Sequence, residues 1–347
     1  EAVEAQLQAG DVRLTMGGEP TFISIDDRES AQWHTEALGE DKAALSQNLI
    51  KRLQKAWAPE GLLTWEQGKW YPGEPLPRWA YCLYWRSDGK PLIDHPARFV
   101  LAQDAQAATL EQAELFIRQL AERLGLPAEH VIAGREDPWH ILQTERRLPE
   151  NLEPGDPRLD KDEDRARLAR QVEQGLDHPV GYCLPVSRQG EGKKRHWVSE
   201  RWRFRQHRMY LTPGDSPMGL RLPLHALPWL AEEDRPQVIE RDPLEAREPL
   251  DDVTNEEQPD HYEAGEGVVS RTAICIEPRD GLLTVFMPPL EQLEDYLTLV
   301  SALEQVAEAQ DVPLRIEGYP PPRDERLTVL KITPDPGVIE VNIQPCA

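Results

Sequence analysis

Apolar residues recur along this chain with two periods, one near four residues and one of two, and the two alternate in short blocks. Leu45, Leu49, Leu53 and Trp57 return every fourth residue, which predicts a helix over about 41–57, stopped by Pro59 and Gly61. Thr109 and Gln112 fit a capping box ahead of the stripe Ala113, Phe116, Ile117, Leu120 and Leu124, with Gly125 as the stop. A third stripe, Leu293, Leu297, Val300, Leu303 and Val306, predicts a helix opened by Pro288 and Pro289. A weaker helix, peripheral by its thin apolar stripe, is expected over 161–176.

Period-two alternation predicts strands at 11–16, 62–65, 79–86 and 180–186. Others follow at 197–205, 220–224, 269–277, 282–286, 314–318, 327–332 and 338–343. The turn Ser87-Asp88-Gly89 predicts a hairpin whose second arm is 91–94, and Arg279-Asp280-Gly281 predicts another. Tyr319-Pro320-Pro321-Pro322 and Thr333-Pro334-Asp335-Pro336-Gly337 read as breaks between the last strands. Hairpins and short returns together imply an α+β fold, a mostly antiparallel sheet with helices packed on one face. Residues 232–267 shift towards Asp, Glu and Pro and are expected to form a mobile acidic excursion.

The same alternation sorts side chains by face. In the last strand Ile339, Val341 and Ile343 point one way, so Glu340 and Asn342 point the other. Ile274 and Ile276 separate from Arg271, Cys275 and Glu277, and Leu314 and Ile316 from Arg315 and Glu317. A sheet face carrying Glu, Asn and Arg suits either plain solvation or a hard divalent cation with phosphate. Glu19, following Gly17-Gly18 at the end of the first strand, is a second carboxylate placed to cap a turn or to reach a metal. No Gly-Lys-Ser/Thr follows those glycines, so the segment is not a P-loop.

Composition narrows the partners. Lys and Arg number 39 against 62 Asp and Glu, a formal net charge of −23 over 347 residues, which repels nucleic acid. Mean hydropathy is −0.61, no stretch reaches the length of a membrane span, and no signal peptide opens the chain. The four cysteines, Cys82, Cys183, Cys275 and Cys346, lack CxxC or Cys/His spacing and read as buried thiols of a cytoplasmic protein. Cys183 has no local nucleophile motif for acyl transfer. The chain opens at Glu1 without an initiator methionine and stops directly after a strong strand, so both ends are expected to continue in a longer polypeptide.

Four long runs carry a family resemblance: Met16-Gly17-Gly18-Glu19-Pro20-Thr21-Phe22; the stretch from Gln67-Gly68-Lys69-Trp70-Tyr71 to Trp79; the stretch from Pro213-Gly214-Asp215 to Pro223; and the stretch from Thr333 to Asn342. With them nearly the whole chain, 1–347, resembles the N-terminal part of the amidoligase domain that follows a transglutaminase-like domain in large bacterial proteins. That domain is in turn similar to glutamine-synthetase-like carboxylate–amine ligases. The resemblance implies a glutamine-synthetase-like fold, here truncated, because the family domain continues into a Gly-rich segment with a histidine. It also implies an ATP-dependent ligase that makes an amide through an acyl phosphate, with Mg²⁺ (or Mn²⁺) held by Glu19, Glu340 and Asn342. Arg221, Arg271 and Lys69 would act on the developing charge, and Arg271 and Glu277 would face the nucleotide. The wider superfamily places a Glu-x-Glu pair on the first strand, whereas Thr21 stands at the second position here. The rival expectation is a binding module for the transglutaminase-like partner, with Trp70, Tyr71 and Trp79 offering stacking surfaces to a peptide or sugar.

Overall fold

A computed structural model of the chain describes residues 2–10, 16–74, 77–102, 107–153, 156, 158, 162–175, 177–190, 192, 195–213, 220–234, 237–239, 241–242, 245, 247–250 and 270–346. In chain order the elements are α1 (Ala2–Ala9), β1 (Met16–Gly18), β2 (Thr21–Phe22), α2 (Glu40–Trp57), β3 (Leu62–Gln67), β4 (Trp79–Arg86), α3 (Leu110–Arg123) and β5 (Ile132–Glu136). Then come α4 (Pro138–Glu145), α5 (Asp162–Gln174), β6 (Gly181–Pro185), β7 (Ser187–Gln189), β8 (His196–Val198), β9 (Met209–Pro213) and β10 (Leu220–Arg221). The chain closes with β11 (Ala273–Arg279), β12 (Leu282–Met287), α6 (Leu293–Gln310), β13 (Leu314–Gly318), β14 (Leu327–Asp335) and β15 (Val338–Cys346).

The fold is α+β, with mostly antiparallel pairing, and the chain divides into two compact units. Unit 1 takes Glu1–Ala102, Asp242–Asp251 and Arg323–Ala347; unit 2 takes Gln103–Arg241 and Asp252–Pro322. No helix among the described residues is long and apolar enough to cross a membrane.

In unit 1 the strands run β1, β15, β14, β4, β3, all antiparallel, with the two-residue β2 also on β15. Register stacks Ile343, Leu330, Leu83 and Leu63 side by side, and Val341, Ile332 and Tyr81 in the next row. These residues form one buried cluster with Ile50 of α2 and Trp33, so the helix covers that face. Unit 2 carries the order β13, β12, β11, β6, β5, β9, β10, with parallel pairing only at β12–β13 and β5–β9, and a separate β7–β8 ribbon. α3 packs on β6, β11 and α6, and its capping box at Thr109 and Gln112 is formed as expected. The whole predicted stripe of α6 is buried.

Several expectations are corrected. Leu45 and Trp57 of α2 are exposed and Leu49 and Leu53 only partly buried; the inward line is Lys42, Ser46 and Ile50. Residues 91–94 form no strand, because the free edge of β4 is taken by β14 and the N–H groups of Leu92 and Ile93 donate to the Glu60 carbonyl. β14 continues through Thr333, Pro334 and Asp335, so the break shrinks to Pro336-Gly337, with Gly337 at φ 73°. α6 starts at Leu293, after both prolines. Of 197–205 only 197–198 are strand, and of 220–224 only Leu220–Arg221. β5 and α4 were not expected at all. Residues 11–15, 214–219, 251–267 and Val269 of the predicted segments lie outside the described residues. Within 232–267, Arg247 pairs with Asp324 and Leu250 is buried, its carbonyl accepting from Arg86 at 2.9 Å.

Lys42 explains the rotation of α2. Its ammonium is fully buried and donates to the carbonyls of Glu36 (2.7 Å), Ala37 (3.1 Å) and Asp335 (2.8 Å), fastening the helix to the end of β14. Burial pulls its pKa down to about 8, against the opposing pull of Asp335. Between that value and the ordinary lysine range the unfolded chain binds the extra proton, so this group's stability contribution grows as pH rises. The parent's stability over Lys42→Met is therefore expected to grow by about 3 kcal/mol from pH 7.5 to 10.5, at about 1.4 kcal/mol per pH unit. Denaturant unfolding followed by tryptophan fluorescence checks this, and a pH-independent gap contradicts it.

Candidate functional site

The face of the unit 1 sheet opposite α2 is polar, row by row. Register sets Glu340 beside Thr333, and Asn342, Lys331, Cys82 and Thr64 in one line across four strands. Glu66 lies two residues along β3 on the same face. Glu340 is only 7% exposed, and an ionised carboxylate that dry needs a partner. Lys69 Nζ donates to Oε2 at 2.8 Å and Thr333 Oγ1 approaches the same oxygen at 3.3 Å, while Asn342 Nδ2 donates to Thr333 Oγ1 at 3.1 Å. The hydrogen bond to Glu340 holds the Lys69 ammonium above the usual lysine range.

Lys69 reaches this point because its loop is folded back on itself. Gly68 N–H donates to the Arg78 carbonyl at 2.6 Å and Arg78 N–H to the Lys69 carbonyl at 3.0 Å. A Cβ on Gly68 would lie 2.8 Å from the Trp79 carbonyl oxygen, so only glycine permits this approach. Arg78, buried, clamps the loop by bonding Glu74 and Asp335, and its guanidinium stacks 4.6 Å from the Tyr71 ring centroid. Trp79 stacks on Tyr81 at 4.5 Å, while Trp70 and Tyr71 are exposed.

A second carboxylate on the same face escaped the sequence reading, which ended the strand at Trp65. Glu66, 3% exposed, accepts from Thr64 Oγ1 (2.8 Å) and Tyr84 Oη (2.6 Å) on one oxygen and from Lys331 Nζ (3.0 Å) on the other. Burial pulls the Lys331 ammonium down, but Cys82 and Glu66 outweigh it and leave its pKa raised. The signal available was the alternation of Thr64 and Glu66 with Leu63 and Trp65. Glu19 sits between β1 and β2 on the outer edge of β15 and is exposed. Thr21, two residues on, pairs with Glu340, and the Pro20 carbonyl accepts from Val341 N–H at 2.9 Å. The edge segment bearing Glu19 thus runs alongside Glu340–Asn342. Among the described residues no group of three or more His, Cys, Asp or Glu side chains is gathered at metal-holding distance.

Arg221, Arg271 and Glu277 belong to unit 2. Arg271 spends its guanidinium on the carbonyls of Leu224 (2.8 Å) and Pro228 (2.9 Å), and Arg221 is exposed. Glu277 lies in an ionic row on the sheet face turned away from α3. There Arg279 bonds Glu317, Arg315 Nε lies 3.0 Å from the same Glu317 oxygen, and Arg279 contacts Glu277 at 3.4 Å. One oxygen each of Glu277 and Glu317 is buried with no hydrogen bond among the described residues. Burial raises the Glu277 pKa to about 7; Arg279 opposes the rise and Glu317 adds to it. Beside it, Cys183 and Cys275 face each other across β6 and β11 as free thiols; Cys275 as hydrogen-bond neighbour and then burial push the Cys183 thiol well up.

The folded form holds the Glu277 proton up to about pH 7, whereas the unfolded carboxyl releases it near 4.5. Stability from this group is therefore lost as pH rises through that interval. Relative to Glu277→Gln, which keeps the neutral shape, the parent is expected to lose about 3 kcal/mol between pH 4.5 and 7. Carboxyl ¹³C NMR should show a titration midpoint near pH 7 that the variant lacks; a midpoint in the ordinary range contradicts the geometry.

No curated protein and no solved structure matches the chain. One family model matches it over residues 1–347, and its description is "Putative amidoligase enzyme (DUF2126)". The match spans both units and every segment described above, and the chain belongs to this amidoligase family.

Proposed function

We propose that unit 1 carries part of an ATP-dependent carboxylate–amine ligase site of the glutamine-synthetase-like kind, centred on Glu340. The observation that supports this reading is the Lys69–Glu340 contact, a 2.8 Å ion pair on a nearly dry carboxylate, set among a hydroxyl and an amide on a sheet face that the core does not use. A cation, the Lys69 ammonium, already stands at that carboxylate. The surrounding donors, Glu340, Thr333, Asn342 and the exposed Glu19 of the adjoining edge, are hard oxygens of the type Mg²⁺ or Mn²⁺ takes. On this reading Glu340, Glu19 and Asn342 would hold the metal. When bound, Mg²⁺ supplies charge neutralisation across phosphate oxygens.

A carboxylate is a poor electrophile, and ligation must first improve its leaving group. A carboxylate oxygen of the acid substrate attacks the γ-phosphorus of ATP, ADP departs, and an acyl phosphate results. The amine attacks the carbonyl carbon, inorganic phosphate leaves, and the amine loses a proton. Lys69, on a side chain 37% exposed, is free to exchange Glu340 for phosphate oxygens without crossing a packed core. Thr333 and Asn342 hold Glu340 in place while it does so. Arg271, tied to two carbonyls, and Glu277, neutral up to about pH 7, are left outside this assignment.

Calorimetry of the full chain with ATP and MgCl₂ is expected to show saturable binding. Glu340→Gln should weaken it by at least about tenfold, as loss of one metal-holding carboxylate does. Absence of binding by the parent, or binding and turnover by Glu340→Gln equal to the parent's, ends the ligase reading.

A further inference from the structure

Unit 2 holds a cavity of about 470 Å³ whose walls come from the approach to β5 and from the segment 201–207. Its volume lies in the range of small-molecule sites, roughly 300–1,000 Å³. Its chemistry runs against the rest of the chain. In a protein with 62 acidic and 39 basic residues, the cavity is lined by Arg135, Arg201, Arg203 and His207, with Glu129 as the one carboxylate.

Several buried or half-buried arginines elsewhere in the described residues are paired with carboxylates: Arg78 with Glu74 and Asp335, Arg188 and Arg195 with Asp295, Arg247 and Arg326 with Asp324, Arg279 and Arg315 with Glu317. Arg135 follows that habit, held by Asp177 at 3.1 Å. Arg201 and Arg203 do not. Both are exposed, line the cavity two residues apart, and make no ion pair or hydrogen bond among the described residues. Glu129 contributes no ion pair to them either. Between them, Trp202 turns inward, its indole N–H on the Ser270 carbonyl at 2.8 Å, and meets Phe204 edge to face at 6.1 Å. His207 completes the wall from a left-handed backbone, φ 55°, a conformation that costs a histidine free energy and recurs at ligand sites.

Two unspent guanidinium forks and an imidazole beside an apolar wall of Val131, Ile132 and Phe204 form a cavity that is half cationic and half greasy. Guanidinium forks match the paired oxygens of carboxylate and phosphate, and an apolar wall rewards a ligand body that leaves water. We infer that this cavity is a binding site for a small amphipathic oxyanion, a carboxylate or phosphate borne on an apolar or aromatic body, gripped by Arg201 and Arg203. The field of the molecule disfavours anions in general, so recognition rests on these local cations and the apolar contact acting together. The site is separate from the Glu340 assignment and does not depend on it.

Calorimetry of the full chain with phenyl phosphate, phenylacetate and inorganic phosphate tests the inference, the first two separating phosphate from carboxylate as the preferred head. At least one ring-bearing anion is expected to bind with one-to-one stoichiometry and at least about tenfold more tightly than inorganic phosphate. The double variant Arg201→Ala, Arg203→Ala, with circular dichroism unchanged because both side chains are exposed, should lose at least about tenfold of that affinity, as loss of a charge-assisted contact does. No saturable binding of either ring-bearing anion, equal affinity for inorganic phosphate, or equal affinity in the double variant each overturns it. Because neither ATP nor amide formation enters the readout, failure here is distinguishable from failure of the ligase reading.

Discussion

The register between β14 and β15 governs unit 1. Once Ile332 lies beside Val341 and Leu330 beside Ile343, burying those four under α2 obliges Thr333, Lys331, Glu340 and Asn342 to share the opposite face. A slip of one residue would exchange the two sets and place Glu340 against Ile50 and Trp33. Placing an uncompensated carboxylate in such a core costs several kcal/mol, far more than any single surface contact returns. The hydrophobic requirement of one face thus dictates where the chemistry of the other face must stand.

Both units carry dry carboxylates, in unit 1 on the sheet face away from α2 and in unit 2 on the face away from α3, and they resolve the cost differently. Glu340 and Glu66 are met by the ammonium groups of Lys69 and Lys331. Glu317 takes two guanidinium groups on one oxygen. Glu277 receives too little and keeps its proton instead. An ion pair can exchange one partner for an incoming ion, whereas a neutral acid can only donate or accept a hydrogen bond. This difference is what recommends the Glu340 region over the Glu277 region as a place for phosphate and metal chemistry.

Much of this was legible from alternation alone. The faces of β15, β11 and β13 followed from period two, and the capped helix at Thr109 from its cap. Misreadings arose where one contact overrode local preference. Lys42 turned α2 so that the leucine stripe no longer marked the buried line, and of its three carbonyl partners the one on β14, Asp335, lies 293 positions away. Pro334 was read as a break, yet a strand tolerates it between Thr333 and Asp335. Glu66 escapes notice because the predicted strand ends two residues short of β3, and the partner that explains it, Lys331, lies 265 positions away. The basic cavity was invisible for a related reason: Glu129 to Arg135 and Arg201 to His207 show no shared pattern, and only folding brings them to one cavity.

The buried ammonium of Lys42 has a chemical corollary. An amine with no surface in water is closed to acylating reagents, and uncovering it removes the burial that lowers its pKa, so it then reacts as an ordinary lysine. Among the described lysines it is the fully buried one, so a reagent applied to the intact protein reads, at that single side chain, openings of α2 from the sheet and with them the local breathing of the scaffold that holds Glu340.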